Sequence, residues 1–114
     1  METKGALTAL AALAQRTRLA VFRRLVQAGP AGLSVGEISR KVRTSPATLS
    51  FHLKELTRAR LIEPRQDGRF IYYAAGYDRM NDLLLFLTRN CCGGDSSQCA
   101  PLTALTTVRP RAAR

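Results

Sequence analysis

Three cysteines near the C-terminal end of the 114-residue chain are the residues best suited to chemistry. Cys91 and Cys92 are adjacent, and Cys99 follows after a segment with two glycines, which give the chain freedom to fold back. Thiolates are soft ligands, and the segment adds no histidine and only one carboxylate, that of Asp95. A tetrahedral zinc site takes four protein ligands, or three with an open position. Three thiolates also neutralise a trivalent charge, so this donor set predicts a site for a trivalent, three-coordinate ion.

Two other interpretations of the cysteines stay open. The first is redox sensing, in which a bond from Cys99 to Cys91 or to Cys92 needs less strained geometry than a bond between neighbours. The second is that the thiols are incidental, which the grouping of all three cysteines within nine residues disfavours. For ion binding, side chains that follow one another on a helix diverge by about 100°. We therefore expect the ion to fix a non-helical end at Cys91 and Cys92.

The charge of the chain is strongly basic and unevenly distributed. Lysine and arginine number 18 against 8 acidic residues, which gives a formal net charge of +10. Residues 40–69 alone hold eight of the basic residues and three of the acidic ones. A basic patch on a compact domain favours a polyanionic partner. A merely solvated basic surface is the second-ranked interpretation.

The sequence predicts a cytoplasmic protein without a membrane partner. No apolar run is long enough to span a bilayer. The first fifteen residues superficially resemble a signal peptide, but their apolar run is short, contains Thr8 and continues with helical periodicity. An odd number of cysteines does not suggest a disulfide framework, which fits a reducing compartment.

A helix that begins at Ser45 organises the middle of the chain. Ser45 is a good N-cap, and Pro46 stands at the first helical position, where a missing N–H costs nothing. Leu49, Leu53 and Leu56 follow the i, i+4, i+7 pattern and form one apolar stripe. The helix therefore packs one side against a core and leaves the other side exposed.

The exposed face of this helix, predicted to cover residues 45–61, differs from an ordinary solvated face. Its N-terminal half carries small residues, hydroxyls and an aromatic ring, and cations follow further along. A helix that enters the DNA major groove with its N-terminus needs this distribution, although an amphipathic helix on any small protein is the alternative. The predicted DNA contacts, two of them in the hairpin described below, are Arg43, Ser45, Ala47, Thr48, Ser50, Phe51, Lys54, Arg58, Arg65 and Arg69.

The elements before this helix are also helical. Apolar periodicity predicts a short helix at residues 7–14 and a second at residues 17–27. Ser34 and Glu37 form a capping box that opens a third helix, residues 35–42. A tight turn of two residues then leads to the groove-facing helix, and the pair makes a helix-turn-helix.

After the groove-facing helix the apolar pattern changes to alternation. Residues 61–65 and 70–74 flank an Asp-Gly turn, which is a strong hairpin signal. Pro64 must then lie on an edge strand or at a strand end. The two arginines beside the turn are placed as a wing would present them to phosphates or to the minor groove.

The last predicted helix begins near Asp78 and indicates a homodimer. Residues 83–87 are apolar on every side, and so small a protein cannot bury all of them within one chain. We predict a mostly α-helical winged helix-turn-helix with a β-hairpin wing, dimeric through its first and last helices. Residues 1–90 would form the DNA-binding and dimerisation domain, residues 91–99 the cysteine-rich segment and residues 100–114 a loosely ordered basic tail.

Several short motifs carry a family resemblance that covers about residues 7–90. They are Arg18-Leu19, residues 33–38 (LSVGEI), residues 49–56 (LSFHLKEL) and the DGR and YY sequences of residues 67–73. Together they resemble the ArsR/SmtB family of winged-helix metalloregulators. The resemblance implies a homodimeric repressor that leaves its operator DNA when an ion binds.

The resemblance also indicates which ion sites this chain lacks. Many arsenic-sensing members carry Cys-Val-Cys in the helix before the recognition helix, where this sequence has Ser34 and Gly36. Zinc and cadmium sensors use Asp and His pairs on the last helix, whereas the single histidine here, His52, is interpreted as a packing and orienting residue. The recognition helix ends at Arg60, where the family usually has glycine. The cysteines resemble the C-terminal trio of one arsenite-responsive branch.

These observations predict a transcriptional repressor of a metalloid-resistance operon, not an enzyme. It would bind double-stranded operator DNA and be released when As(III) or Sb(III) binds Cys91, Cys92 and Cys99, with no organic cofactor. The alternative is a thiol-redox or persulfide-sensing repressor of the same fold. A thiol enzyme or metallochaperone is disfavoured because no base lies near the cysteines in the sequence.

Overall fold

The computed structural model describes residues 1–94, so the predictions for Cys99 and for the tail lie outside the described residues. The elements in chain order are α1 (Thr3–Leu13), α2 (Arg16–Ala28), β1 (Leu33–Ser34), α3 (Val35–Val42), α4 (Pro46–Arg58), β2 (Ile62–Asp67), β3 (Phe70–Ala75) and α5 (Tyr77–Thr88). A single 3-10 turn, Cys91–Gly94, follows α5. The predicted winged helix-turn-helix is confirmed: α3 and α4 form the helix-turn-helix, and β2 and β3 form the wing.

The sheet has one strand more than the sequence predicted. Its three antiparallel strands lie in the order β1–β3–β2, and β1 pairs Leu33 with Tyr73 and Ser34 with Tyr72. A strand of two residues is too short to show an alternating pattern, which is why it was missed. Pro64 lies in β2, which is an edge strand, as its missing N–H requires.

The two residues at the turn of the wing are not the predicted Asp-Gly pair but the next pair along the chain. Asp67 is the last paired residue of β2 and faces Phe70, so Gly68 and Arg69 alone form the loop. Gly68 has a φ of 64°, and a glycine at the first of two central positions is typical of a type II′ hairpin turn. The consequence is that Arg69 lies at the tip of the wing.

The core is built around α2 and the apolar stripe of α4. Val21 and Leu25 of α2 are fully buried, and the three predicted leucines of the stripe, Leu49, Leu53 and Leu56, are buried as well. Burial of a leucine side chain stabilises a fold by about 1.5–3 kcal/mol relative to leaving it exposed. The stripe therefore holds α4 on the core by one face and leaves the opposite face to solvent.

The capping box predicted at the start of α3 is present. The backbone N–H of Ser34 donates to Glu37 Oε1 at 2.8 Å, and the N–H of Glu37 donates to Ser34 Oγ at 3.2 Å. The bond from the Ser34 backbone lowers the pKa of the Glu37 carboxyl. Since the folded pKa is lowered, this bond stabilises the fold at neutral pH, and the contribution is lost as pH falls through that lowered value.

Two exposed apolar faces remain on the helices expected to dimerise. Leu7 and Leu10 of α1 are 60% and 40% exposed, and Leu85 and Leu87 of α5 are 56% and 54% exposed. Leu83, by contrast, is buried against the core, so only part of the apolar run of α5 faces outward. Among the residues that the structure describes, no helix is long and apolar enough to cross a membrane.

The end of α4 gives a stability prediction. Arg60 has a φ of 67°, its N–H bonds to the Thr57 carbonyl at 2.9 Å, and the N–H of Leu61 bonds to the Leu56 carbonyl at 3.0 Å. This is the Schellman arrangement, which favours glycine at the left-handed position. Relief of that strain exceeds the chain entropy that glycine adds to the unfolded state, so Arg60→Gly should raise the free energy of unfolding by about 0.5–1 kcal/mol.

Urea denaturation of Arg60→Gly beside Arg58→Gly tests this expectation. Arg58 is the last regular helical residue of α4, so glycine there should lower the free energy of unfolding by about 0.5–1 kcal/mol. Opposite signs for the two variants are expected. A lower free energy of unfolding in both variants would show that the left-handed conformation of Arg60 carries no strain that glycine relieves.

Candidate nucleic-acid interface and cysteine pair

The N-terminal end of α4 is well defined and open to solvent. Ser45 Oγ accepts from the backbone N–H of Thr48 at 3.3 Å, and Pro46 occupies the first turn, as predicted. The Ser45 hydroxyl also donates to Thr48 Oγ1 at 3.1 Å. The side chains of all ten residues predicted to contact DNA are exposed. Eight of these residues follow one another on the turn and α4, and the other two lie on the wing.

The rotation of α4 about its axis is fixed by a contact that the sequence did not reveal. Arg18 Nε donates to the Ala12 carbonyl at 2.7 Å, and its Nη1 lies 3.3 Å from His52 Nδ1. A guanidinium only donates, so Nδ1 is the acceptor in this contact. The His52 ring also lies edge-on to that of Phe51, with centroids 5.6 Å apart. His52 therefore orients the exposed Phe51 ring, in agreement with its interpretation as an orienting residue.

The turn between α3 and α4 is closed by hydrogen bonds. Arg43 is in a left-handed conformation with a φ of 55°. The N–H of Thr44 donates to the Ser39 carbonyl at 3.2 Å, and Ser39 Oγ donates to the Thr44 carbonyl at 2.6 Å. The exposed Arg43 side chain is thus held at the corner of the helix-turn-helix, immediately before the N-terminus of α4.

The arginines predicted to contact DNA differ in the hydrogen bonds and ion pairs that they already form within the chain. Arg58 forms an ion pair of 2.8 Å with Glu55, which partly neutralises it. Arg65 donates to the Ala31 carbonyl at 2.9 Å and lies over the ring of Tyr72, 5.3 Å from its centroid. Arg69, at the wing tip, has no hydrogen bond or ion pair among residues 1–94. Of the two wing arginines, Arg69 is the one available to bind phosphate.

The two adjacent cysteines lie just beyond the end of α5. That helix ends at Thr88, and the chain then takes left-handed conformations at Asn90 (φ 58°) and Cys92 (φ 57°). Cys91 Sγ and Cys92 Sγ are 3.3 Å apart as a result, and Cys91 is disulfide-bonded in the structure. The helix ends before the cysteines, so no ion is needed to end it; that an ion fixes the non-helical conformation of the pair stays a prediction. Within the described part of the chain, no group of three metal-binding side chains occurs, and the third predicted ligand, Cys99, lies outside that part.

Comparisons with known proteins agree with this geometry. A family model described as a helix-turn-helix domain matches residues 13–65. NolR from Sinorhizobium fredii is 32% identical over 75% of this chain and 82% of its own, with a TM-score of 0.61. Reduced HlyU from Vibrio cholerae N16961 is 30% identical over 76% of this chain and 92% of its own, with a TM-score of 0.60.

A third structure carries the family name. It is the homodimeric winged helix-turn-helix DNA-binding domain of Mb0332 from Mycobacterium bovis, described as a possible ArsR-family transcriptional regulator. It is 26% identical over 74% of this chain and 76% of its own, with a TM-score of 0.63. The chain belongs to the ArsR family. It is therefore a DNA-binding transcriptional regulator and not an enzyme. A search of curated proteins gave no significant match.

For this ArsR-family regulator we expect the wing to contribute through Arg69. Arg69→Ala should weaken binding to all DNA sequences alike and flatten the dependence of log affinity on log salt by about one unit per lost phosphate contact. Arg65→Ala should flatten it less, because the Arg65 guanidinium already donates to the Ala31 carbonyl. Fluorescence anisotropy at several salt concentrations measures both slopes. A wild-type slope in the Arg65→Ala/Arg69→Ala variant would show that the wing does not reach DNA.

Proposed function

We propose that this ArsR-family member is a repressor of a metalloid-resistance operon that leaves its operator when As(III) or Sb(III) binds Cys91, Cys92 and Cys99. The observation that supports the proposal most directly is the distance of 3.3 Å between the sulfurs of Cys91 and Cys92. Cys91 is disulfide-bonded in the structure, so an ion would bind the pair after reduction of that bond. Adjacent side chains on a continuing helix would point in different directions, whereas these two converge. Cys99 is the third ligand of the proposal.

The chemistry of the donor set matches a trivalent metalloid. Arsenous acid exchanges its three hydroxyls for three thiolates: three As–S bonds form, three As–O bonds break and three waters leave, with no change of oxidation state. The thiol protons end in those waters. Soft thiolates favour such an ion, and three negative sulfurs balance its charge. The absence of a Cys-x-Cys pair at Ser34 and Gly36 leaves the C-terminal cysteines as the proposed site.

Homodimerisation is part of the proposal and would connect the ion to DNA. The exposed leucines of α1 and α5 offer an apolar surface for a second copy, and the related domain of Mb0332 is homodimeric. Two recognition helices must then match half-sites about 34–36 Å apart. The cysteine pair follows the last turn of α5 by three residues, so a fixed ion site there acts on the dimer helix. The ion must favour the conformer that binds DNA poorly.

Thiol oxidation is the second candidate function, and the state of Cys91 favours it, because its sulfur is disulfide-bonded in the structure. A bond from Cys99 to Cys91 or to Cys92 needs less strained geometry than a bond between the two neighbours. With hydrogen peroxide, one S–S bond forms, the O–O bond breaks, and the two thiol protons leave in two waters. With a persulfide, its S–S bond breaks instead, and a thiol and hydrogen sulfide leave. A relative in the same family has been described in its reduced form.

Release from DNA under defined conditions separates the two functions. The operator would be selected from a random duplex pool, and the protein kept reduced with a phosphine, which does not compete for arsenic as a dithiol does. Release by arsenite or antimonite, but not by zinc, supports metalloid sensing. Release only by peroxide in the absence of reductant supports redox sensing, and release by neither ion nor oxidant contradicts both.

A further inference from the structure

A second basic surface lies beside the helix-turn-helix. It is a cleft of roughly 500 Å³ between α2 and the C-terminal end of α3. Its lining residues are Ala20, Arg23, Arg24, Gln27, Lys41, Val42 and Arg43. Four of them are cations and none is acidic. Of the four, only Arg43 belongs to the DNA contacts predicted from the sequence, so three cations of this cleft have no assigned role.

The cations of the cleft lack internal counter-charges. The ion pairs found among residues 1–94 involve other arginines, Arg58 and Arg65. The helix dipole favours a cation in the last turn of a helix, and Lys41 lies in the last turn of α3. The last turn of α2 holds no basic residue, so the dipole does not explain Arg23 and Arg24. Arg23 and Arg24 therefore lie close to other cations, and neither an acidic side chain of the cleft nor a helix dipole stabilises their charge. An anion in the cleft would relieve that repulsion.

The position of Arg43 indicates which kind of anion the cleft would bind. Arg43 lines the cleft and also forms the corner that leads into the N-terminus of α4. A duplex whose major groove receives α4 must run past this corner, and the cleft continues from it onto α2. We propose that the cleft binds the phosphate backbone of the operator beyond the base pairs that α4 reads. Arg23, Arg24 and Lys41 would then set the register of the duplex without reading its sequence.

The side chains suit a phosphate backbone. Arginine binds phosphate through two parallel N–H donors, and Gln27 adds a neutral donor to the same cleft. Arg23 and Arg24 are adjacent on a helix, so their side chains diverge by about 100° and reach different phosphates. Each should therefore contribute its own counter-ion release to binding.

Duplexes of two lengths test the proposal. One duplex ends with the base pairs that α4 contacts, and the other extends six base pairs further on each side. Arg23→Gln/Arg24→Gln should bind the extended duplex about tenfold more weakly than wild type, and each lost contact should flatten the salt slope by about 0.9. On the short duplex the variant and wild type should agree. Lys4→Gln, which removes an exposed cation from α1, is the control and should match wild type on both.

The other outcomes overturn the proposal. Equal losses on both duplexes would place the two arginines within the core interface, and no loss on either would mean that the cleft does not meet DNA. If inorganic phosphate raised the thermal midpoint of wild type and not of the variant, while DNA affinity stayed equal, the cleft would belong to a small anion. Arsenite-driven release should persist in the variant. If arsenite did not release wild type from DNA, the proposed metalloid function would be wrong, but the phosphate contacts of the cleft would still stand.

Discussion

Replacing Cys91 or Cys92 by serine should abolish release from the operator by arsenite or antimonite and leave DNA affinity unchanged. A serine hydroxyl is nearly the size of a thiol but is a hard ligand that stays protonated at neutral pH, so it cannot replace a thiolate on a soft ion. DNA affinity should be retained because the cysteine pair follows α5, whereas the predicted DNA contacts lie on α4, its preceding turn and the wing. The measurement is anisotropy of a labelled operator during titration with each ion.

Cys99→Ser provides the graded comparison. It should weaken the response to arsenite, yet spare the response to a methylated arsenical, which needs only two thiolates. Once the disulfide at Cys91 is reduced, the sulfurs of Cys91 and Cys92, which are 3.3 Å apart, would supply those. If the variant with all three cysteines replaced by serine still left DNA on addition of arsenite, the sensor site would lie elsewhere. Loss of the response to peroxide in Cys99→Ser would assign redox sensing to a bond from Cys99 to Cys91 or to Cys92.

The position of the helix end changes how such a site can act on DNA. Since α5 already ends at Thr88, binding need not unwind the helix. The ion would instead select one arrangement of the chain that follows, next to the exposed Leu85 and Leu87 that we assign to the dimer surface. Coupling then arises from the difference in ion affinity between the arrangements that bind DNA well and poorly. It requires no long pathway through the core.

Local signals account for the parts of the fold that the sequence predicted well. The start of α4 was set by Ser45 and Pro46, and the start of α3 by the capping box of Ser34 and Glu37; all four take the predicted positions. Each signal acts within four residues, so it can be recognised without knowledge of the tertiary structure. The leucine stripe of α4 was equally visible, because its spacing repeats with the helical period.

Features that depend on distant partners escaped prediction. Arg18 contacts His52 across 34 positions, and Arg65 reaches the Ala31 carbonyl across the same separation. No local pattern records either contact. The end of α5 is a different case, because Asn90 is a residue type that adopts the left-handed conformation readily at helix ends. That signal was present in the sequence, and its use would have placed the cysteines outside the helix.

Ser50→Ala should weaken binding to the operator and relax the sequence preference at one base pair of each half-site. Ser50 is exposed on the N-terminal half of α4, beside the buried Leu49 that seats the helix on the core. Its hydroxyl has no hydrogen-bond partner among residues 1–94, so it is available to a base edge. A good base contact discriminates by about 1–3 kcal/mol, so the preferred base should lose about that much of its advantage.

The same measurement on neighbouring residues separates base reading from effects on the helix. Alanine is the better helix former, so Ser50→Ala should not lower the thermal midpoint. Thr48→Ala should also relax specificity, with a small loss of stability, because Thr48 Oγ1 accepts from Ser45 Oγ at 3.1 Å. Thr57→Ala removes a hydroxyl that bonds to the Leu53 carbonyl at the other end of α4, and should leave specificity unchanged. Wild-type affinity and specificity in both Ser50→Ala and Thr48→Ala would show that α4 does not read bases through these hydroxyls.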